Sequence, residues 1–258
     1  MIVALIDSGL GLLPTAARLR TLRPRLDLIL LMDPDEAPWG PKPDAWVVDR
    51  VLAAVDRAVA AGAEVIVLPC NTASVTALAH VRAHLGAGVP VVGTVPAIKP
   101  AAAESERIAI WATAATTASS YQARLVEEFA AGRTVTPVAC HGLADAIDRG
   151  DTDGVSAAIR AAAASTPEDV ESVVLGCTHY PLVVDEILAS LPAGTRLYDS
   201  AEAVARQTLR RIDELGGPDE GSGSVTVSLS GRAGDLPASA LAHREGALLT
   251  NHRCGIIR

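Results

Sequence analysis

Aromatic side chains are scarce: three Trp, three Tyr and one Phe in 258 residues. Few platforms are left for stacking bases. The formal net charge is −8, with acidic and basic residues interspersed rather than gathered into a basic stripe, so the electrostatic footprint of a nucleic-acid binder is missing. Lysine is scarcer still, with only Lys42 and Lys99 against twenty arginines. No apolar run reaches the roughly 18–20 residues of a membrane span. The N-terminus enters an apolar segment at Ile2 with neither a basic region nor a cleavage pattern. A secretory signal is therefore not expected, and a cytoplasmic location is. The four cysteines show no close pairing, which fits free thiols in a reducing compartment better than a disulfide frame.

What is present is apolar: 49% hydrophobic against 20% charged residues, enough for one large core or two small ones. The stretch that organises the chain is Val173–Pro181, reading Val-Val-Leu-Gly-Cys-Thr-His-Tyr-Pro. A β-branched run ends at Gly176 and delivers Cys177, Thr178 and His179 to a strand tip, where α/β sheets place their ligands. Val65–Ser74 repeats the design with Cys70, Asn71 and Thr72. The strand Ile2–Asp7 is echoed by Ile108–Thr113 at nearly the interval that separates the two cysteines. Two echoes at one spacing indicate a duplicated α/β unit, each copy bringing one cysteine to a strand tip.

In order, the chain reads as alternating strands and helices. The turn Asp7-Ser8-Gly9-Leu10-Gly11 follows the first strand, and Pro14 suits the first turn of a helix running to about Arg23. Its Gly9-x-Gly11 is a poor dinucleotide fingerprint, because Pro14 stands where the third glycine belongs. Asp27–Met32 is a strand, and the proline-rich Asp33–Pro43 is a structured loop. Trp39 within it is expected either to cover a pocket or to anchor the loop on the surface. Ala45–Ala61 is helical, with Val47, Val48, Val51, Leu52, Val55 and Val59 on one face. A helix from about Ala73 to Leu85 carries His80 and His84 at zinc-like spacing, but Val81-Arg82 replaces the glutamate of a metalloprotease and no third ligand offers itself; no metal site is expected.

Pro90–Val95 is a strand, and Pro96–Pro100 is expected to turn the chain. Ala112–Tyr121 is a hydroxyl-rich turn whose Thr113, Thr116 and neighbours either cap the next helix or hold an anion. Thr134–Cys140 is a strand, with Cys140 packing as a small apolar residue. Asp145 and Asp148 share a short helical turn before an Ala-rich helix over Asp151–Ala164. After the Cys177 strand a helix is expected to Leu191, then a strand at Arg196–Tyr198 and a long helix capped by Ser200. Gly216–Ser224 reads as a flexible link and Ser224–Ser230 as an edge strand. Ala240–Arg258 shows no strong period, and Cys254 there reads as incidental.

A single strand-tip cysteine suggests a nucleophile with a His partner. Two, in duplicated halves, suggest opposed proton carriers: one sulfur removes a proton from a carbon and the other returns one to its opposite face. A free thiol titrates near ~8.5, so a thiol and a thiolate can coexist near neutrality. Asp7 beside Cys70, and His179 or Asp148 beside Cys177, are placed to bias the two forms. The turns at Ser8, Asn71-Thr72, Thr113–Thr117 and Thr178 offer N–H and hydroxyl groups for a substrate carboxylate. A pyridoxal cofactor needs a Schiff-base lysine. Lys42 sits in the proline-rich loop and Lys99 directly precedes Pro100, so the expected reaction uses no cofactor.

Five ordered motifs then resemble the aspartate/glutamate racemase superfamily, and within it the glutamate racemases. They are Asp7-Ser8-Gly9, Pro38-Trp39-Gly40-Pro41-Lys42, Cys70-Asn71-Thr72-Ala73-Ser74, Val95-Pro96-Ala97-Ile98-Lys99-Pro100 and Gly176-Cys177-Thr178-His179-Tyr180-Pro181. Asp199-Ser200 also matches, and the likeness runs from Ile2 to about Leu215. It implies two similar α/β subdomains with parallel-rich sheets, related by a pseudo-two-fold and holding the active site in the cleft between them. Their expected bounds are 1–96 plus about 205–258, and 97–204.

It further implies interconversion of L- and D-glutamate, with D-glutamate supplied to peptidoglycan, and often a homodimer. By the same likeness Cys70 and Cys177 are the acid and base, assisted by Asp7, His179 and Asp148. Ser8, Trp39, Gly40, Asn71, Thr72, Thr113, Thr116 and Thr178 join Asp7 and His179 at the substrate. The chain departs from the family at Leu12, where a glycine is usual, at Trp39, where a tyrosine is, and at Asp148, where a glutamate is; Asp145 lies close enough to serve in its place. The alternatives are a racemase of aspartate or another small amino acid, a homologue that binds without turnover, and a redox thiol pair.

Overall fold

The computed structural model describes residues 1–216 and 221–250. The chain divides into two units: Met1–Thr94 with the chain from Ala201 onward, and Val95–Ser200. The first unit begins with β1 (Ile2–Ile6), α1 (Leu13–Leu22), β2 (Asp27–Met32), α2 (Asp44–Ala60), β3 (Val65–Leu68), α3 (Asn71–Leu85) and β4 (Val91–Gly93). The second holds α4 (Ile98–Glu104), β5 (Arg107–Ala112), α5 (Ala114–Thr117), α6 (Ser120–Phe129), β6 (Thr134–Ala139), α7 (Leu143–Arg149), α8 (Thr152–Ala164), β7 (Ser172–Leu175), α9 (Val184–Ala189) and β8 (Arg196–Tyr198). The chain then completes the first unit with α10 (Ala201–Leu215), β9 (Val225–Leu229), β10 (Arg232–Gly234), α11 (Ala238–Leu241) and α12 (Arg244–Thr250).

The first sheet has the order β10-β9-β2-β1-β3-β4, parallel apart from the β9–β10 pair, and the second has the order β6-β5-β7-β8, parallel throughout. Strands β2-β1-β3-β4 thus recur as β6-β5-β7-β8, the same order built twice. Strand β3 is buried throughout, and in β5 only Arg107 is exposed. That is why these strands read as continuous apolar runs rather than alternating ones: helices cover both faces of a parallel sheet. Each central strand ends at a helix, so β3 and β7 hand Cys70 and Cys177 to the C-terminal edges of their own sheets.

Several local expectations are corrected. Pro96–Pro100 does not simply turn: α4 starts at Ile98, and Pro100 falls in its first turn, where no N–H is needed. Strand β9 is not an edge, because the three-residue β10 pairs outside it. The segment from Ala240 lacks a period because α11 and α12 have only four and seven residues, too few to display one. Val59 is 38% exposed, and Ala54 and Ala58 take its place on the buried face of α2. Helix α3 starts at Asn71 rather than near Ala73. After Cys177 a 3-10 turn (Tyr180–Val183) precedes α9, which stops at Ala189 rather than Leu191.

The presumed flexible link is anchored where it is described. Both the backbone N–H and the hydroxyl of Ser222 and of Ser224 donate to the Asp27 carboxylate. Residues 217–220, and Cys254 in the tail, lie outside the described residues.

Candidate active site

The first half-site is built on adjacent strand ends. Strand β1 pairs with β3 with Leu5 opposite Val67, so Asp7 and Cys70 leave the sheet side by side. Asp7 is buried, and its Oδ1 accepts from the Ser8 hydroxyl and the Gly9 N–H, each at 3.3 Å. Cys70 is buried in extended backbone at the N-cap of α3, where its carbonyl takes the first helical hydrogen bond from Ser74 N at 2.8 Å. Asn71 and Thr72 form the first turn of that helix. Ser74 closes the motif structurally: its hydroxyl donates to Leu68 O at 2.8 Å and accepts from Thr94 N at 2.9 Å, tying the ends of β3 and β4 together.

Trp39 does not lie on the surface; it lines a small pocket together with Asp7, Asp33 and Arg50. It is only 1% exposed within the core of the first unit, and its Nε1 donates to Asp33 Oδ2 at 3.0 Å. What the loop presents outward is Gly40, which is exposed. A Cβ at Gly40 would stand 3.8 Å from Thr72 Oγ1, so the loop backbone runs beside the start of α3.

The second half-site is a chain of contacts. His179 Nδ1 lies 3.7 Å from Cys177 Sγ, and its Nε2 lies 3.0 and 3.1 Å from the two oxygens of Asp148. Burial acts to lower the imidazole pKa, but the charge and hydrogen bond of Asp148, with a smaller contribution from Cys177, raise it well above its ordinary value. Asp148, rather than Asp145, is the carboxylate that reaches His179; Asp145 acts electrostatically on Tyr180 instead. Among the described residues the buried Tyr180 hydroxyl has no oxygen or nitrogen partner, and it lies beside the Cys140 thiol. Burial pushes that thiol up to about 12, despite the hydrogen bond from Tyr180, so Cys140 is inert packing.

Gly176 is required before Cys177 because the strand passes very close to β5: an added Cβ would stand 3.0 Å from Trp111 O. Thr113 caps α5, accepting from Thr116 N at 3.3 Å, and its hydroxyl lies 3.0 Å from that of Thr116. Thr178 is half-buried between Cys177 and His179.

Elsewhere, His84 pairs with Asp56 on an exposed helix face, 2.7 Å away, and His80 is exposed. Among the described residues no group of three or more His, Cys, Asp or Glu is placed to hold a metal ion. No described helix is long and apolar enough to cross a membrane. Sequence reasoning passed over Asp33. A charge beside prolines looks solvated, yet this carboxylate is buried and takes a two-pronged hydrogen bond from Arg50 at 2.7 and 2.6 Å.

Two α/β units with one strand order, each ending a central strand in a cysteine, define a racemase-like scaffold. Residues 15–208 match the Asp/Glu/Hydantoin racemase family profile, and the chain belongs to that family. Its relatives carry a more specific name. The glutamate racemase of Cupriavidus pinatubonensis is 36% identical over 217 residues, covering 82% of this chain and 79% of the relative. That of Sphingopyxis alaskensis is 38% identical over 221 residues, covering 82% of each. Among solved structures, the Escherichia coli glutamate racemase in complex with L-glutamate and the activator UDP-MurNAc-Ala superposes with a TM-score of 0.81. It is 32% identical, and the match covers 97% of this chain and 94% of that one. The Thermus thermophilus glutamate racemase, in complex with β-chloro-D-alanine, gives 0.73 at 29% identity and covers 99% and 95%.

Proposed function

We propose that this protein interconverts L- and D-glutamate without a cofactor, by 1,1-proton transfer between Cys70 and Cys177. The observation that carries the reading is the repeated strand order with a buried cysteine at the same place in each copy. Relatives named glutamate racemase, about one third identical over most of the chain, support glutamate as the substrate.

In the forward sense one cysteine, as thiolate, takes the Cα proton, and the thiol of the other delivers a proton to the opposite face. The C–H bond breaks on one side as an S–H bond forms; on the other an S–H bond breaks as the new C–H bond forms. The enzyme is left with its thiol and thiolate exchanged, ready for the reverse reaction. Asp7 serves the Cys70 side. On the Cys177 side the imidazolium of His179, held by Asp148, supplies positive charge to the sulfur and can exchange a proton with it. The N–H and hydroxyl groups of Ser8, Gly40, Asn71, Thr72, Thr113, Thr116 and Thr178, with the backbone of Trp39, hold the substrate carboxylates and the charge that develops at Cα.

The two lysines support the cofactor-free reading: Lys42 pairs with Glu36 at 2.8 Å and stands over the Trp46 ring, and Lys99 is exposed in the first turn of α4. The reading places the enzyme in the cytoplasm, supplying D-glutamate to peptidoglycan, with no nucleic-acid partner. It includes a homodimer, which sedimentation at working concentration checks.

The test is incubation of each glutamate enantiomer in deuterated water, followed by chiral chromatography and mass analysis. The expected result is inversion with one Cα deuterium in the product, abolished by Cys70→Ser and by Cys177→Ser. Inversion of aspartate with glutamate untouched would replace the substrate. Absence of exchange by the folded wild type would remove catalysis altogether.

A further inference from the structure

Asp33 gathers donors from three separate parts of the first unit. Trp39 Nε1 comes from the loop after β2, and Arg50 comes from α2 with both Nε and a terminal nitrogen. The Ser230 hydroxyl comes from the turn between β9 and β10. Burial raises the carboxyl pKa of Asp33, but these donors overcome it and hold the group below the ordinary range, so it is charged. The rest of the residue is also engaged. Its N–H donates to Ser8 O at 3.1 Å, and its carbonyl accepts from Glu36 N and Ala37 N. The Ser230 hydroxyl accepts from Asp35 N at 3.1 Å, and Arg232 pairs with Asp35 at 2.7 Å, so the β9–β10 turn clasps the beginning of the same loop.

Two paths lead outward from this hub, and both end on groups assigned above to the substrate. One runs from the carboxylate through the Trp39 ring to the Gly40 backbone beside Thr72. The other runs from the amide to Ser8, whose hydroxyl donates to Asp7. We propose that Asp33 is a positioning residue for glutamate binding, fixing the Gly40 backbone and Ser8 through Trp39 and its own amide. It touches no reacting atom. The proposal rests on the racemase reading for its substrate and on the hydrogen-bond network for its geometry.

A role in the reaction's chemistry would lower kcat, and a role in stability alone would lower the melting temperature and leave both kinetic constants unchanged in enzyme that remains folded. A positioning role raises KM. Asp33→Asn is expected to raise KM for glutamate about 10-fold with kcat within about 3-fold, an apparent loss of about 1.4 kcal/mol. Trp39→Phe keeps a ring in the core and deletes one donor, so a smaller rise in the same direction is expected. It carries the measurement if Asp33→Asn does not fold.

Amide hydrogen exchange supplies a readout that needs no activity. Exchange over residues 34–43 should quicken in both variants, and over residues 5–12 in Asp33→Asn, while the middle of α2 stays protected. Unchanged KM, or unchanged exchange in those two segments, overturns the proposal. If the wild type fails to invert glutamate while the exchange pattern appears as expected, the substrate assignment falls and the positioning of these segments stands.

Discussion

Asp148 meets His179 with both carboxylate oxygens, at 3.0 and 3.1 Å from Nε2, and the opposite ring nitrogen of His179 points at Cys177 Sγ from 3.7 Å. The carboxylate therefore accepts from Nε2–H and favours the protonated ring in spite of burial. An imidazole buried without such a partner would be neutral at pH 7. Cys70 has no imidazole in its motif. Its turn offers the Asp7 carboxylate, which is oriented by the Ser8 hydroxyl and Gly9 N–H. The two sulfurs thus lie in opposite electrostatic settings, a cation beside one and a carboxylate on the strand next to the other.

Asp148→Asn should reduce turnover while leaving Cys177 in place. A loss of about 10- to 100-fold in kcat/KM is expected, part of what a positioned acid or base typically supplies. Because a racemisation has an equilibrium constant of one, kcat/KM must fall equally for L- and D-glutamate. Only the separate kcat and KM values are free to diverge. Progress curves from each enantiomer check this, and wild-type kcat/KM in the variant would show that His179 works without its carboxylate.

The same pair makes stability depend on pH in a defined direction. His179 has a folded pKa above its unfolded value of about 6.5. The stabilisation from its protonation is fully present below the unfolded pKa and is lost as pH rises through the folded one. Urea denaturation at a series of pH values should therefore show the gap between wild type and Asp148→Asn at its widest in mildly acidic buffer and narrowing in alkaline buffer. A gap that widens with rising pH would mean the buried ring is neutral.

Much of this arrangement was legible in the residue order. The apolar runs Val65–Leu68 and Ser172–Leu175 are fully buried strands, and the polar residues after them sit at strand tips, because a parallel sheet covered on both faces allows little else. The spacing of Cys177 and His179 places them on one turn. What stayed hidden depends on contacts that residue order does not encode. Asp145 and Asp148 lie one helical turn apart, and only the packing of α7 decides that the second meets His179. Arg50 and Ser230 converge on Asp33 from distant positions, so no local pattern marks the hub. Trp39 was unresolved because a ring in a proline-rich loop carries no sign of which way it turns.

Asp27 anchors the returning C-terminal strand and makes it sensitive to acid. Burial works to raise its pKa, but four hydrogen bonds from Ser222 and Ser224 outweigh that and lower it to about 2. A lowered folded value contributes stability above the unfolded pKa of about 3.9, and that stability is lost as pH falls through about 2. Asp27→Asn should lower the melting temperature at pH 7 and speed hydrogen exchange at Leu28 N, which donates to Ser224 O at the start of the β2–β9 pairing. The difference from wild type should shrink between about pH 4 and pH 2. If it persists undiminished at the acid end, the anchoring is not ionic.

Gly176→Ala tests how tightly the Cys177 strand tip is held. The new methyl would stand 3.0 Å from Trp111 O, 3.1 Å from Ala112 Cβ and 3.3 Å from Ile110 Cγ2. None of these can step aside easily. Trp111 O already accepts from Gly176 N at 2.7 Å, the Trp111 ring is fixed by its bond to Thr166 at 2.9 Å, and all three residues lie on the buried strand β5. The strand tip itself must move, at about 1–3 kcal/mol of stability by analogy with overpacked cores. Since the next residue is Cys177, a shift of a few tenths of an ångström moves the sulfur relative to His179, and misplacement of that kind lowers turnover steeply. The expected outcome is a lower melting temperature together with a fall in kcat of about 10-fold or more, read by thermal unfolding and initial rates on the purified variant. Wild-type values for both would mean that β5 and the strand tip yield freely, and that the sulfur's position is not set by this contact.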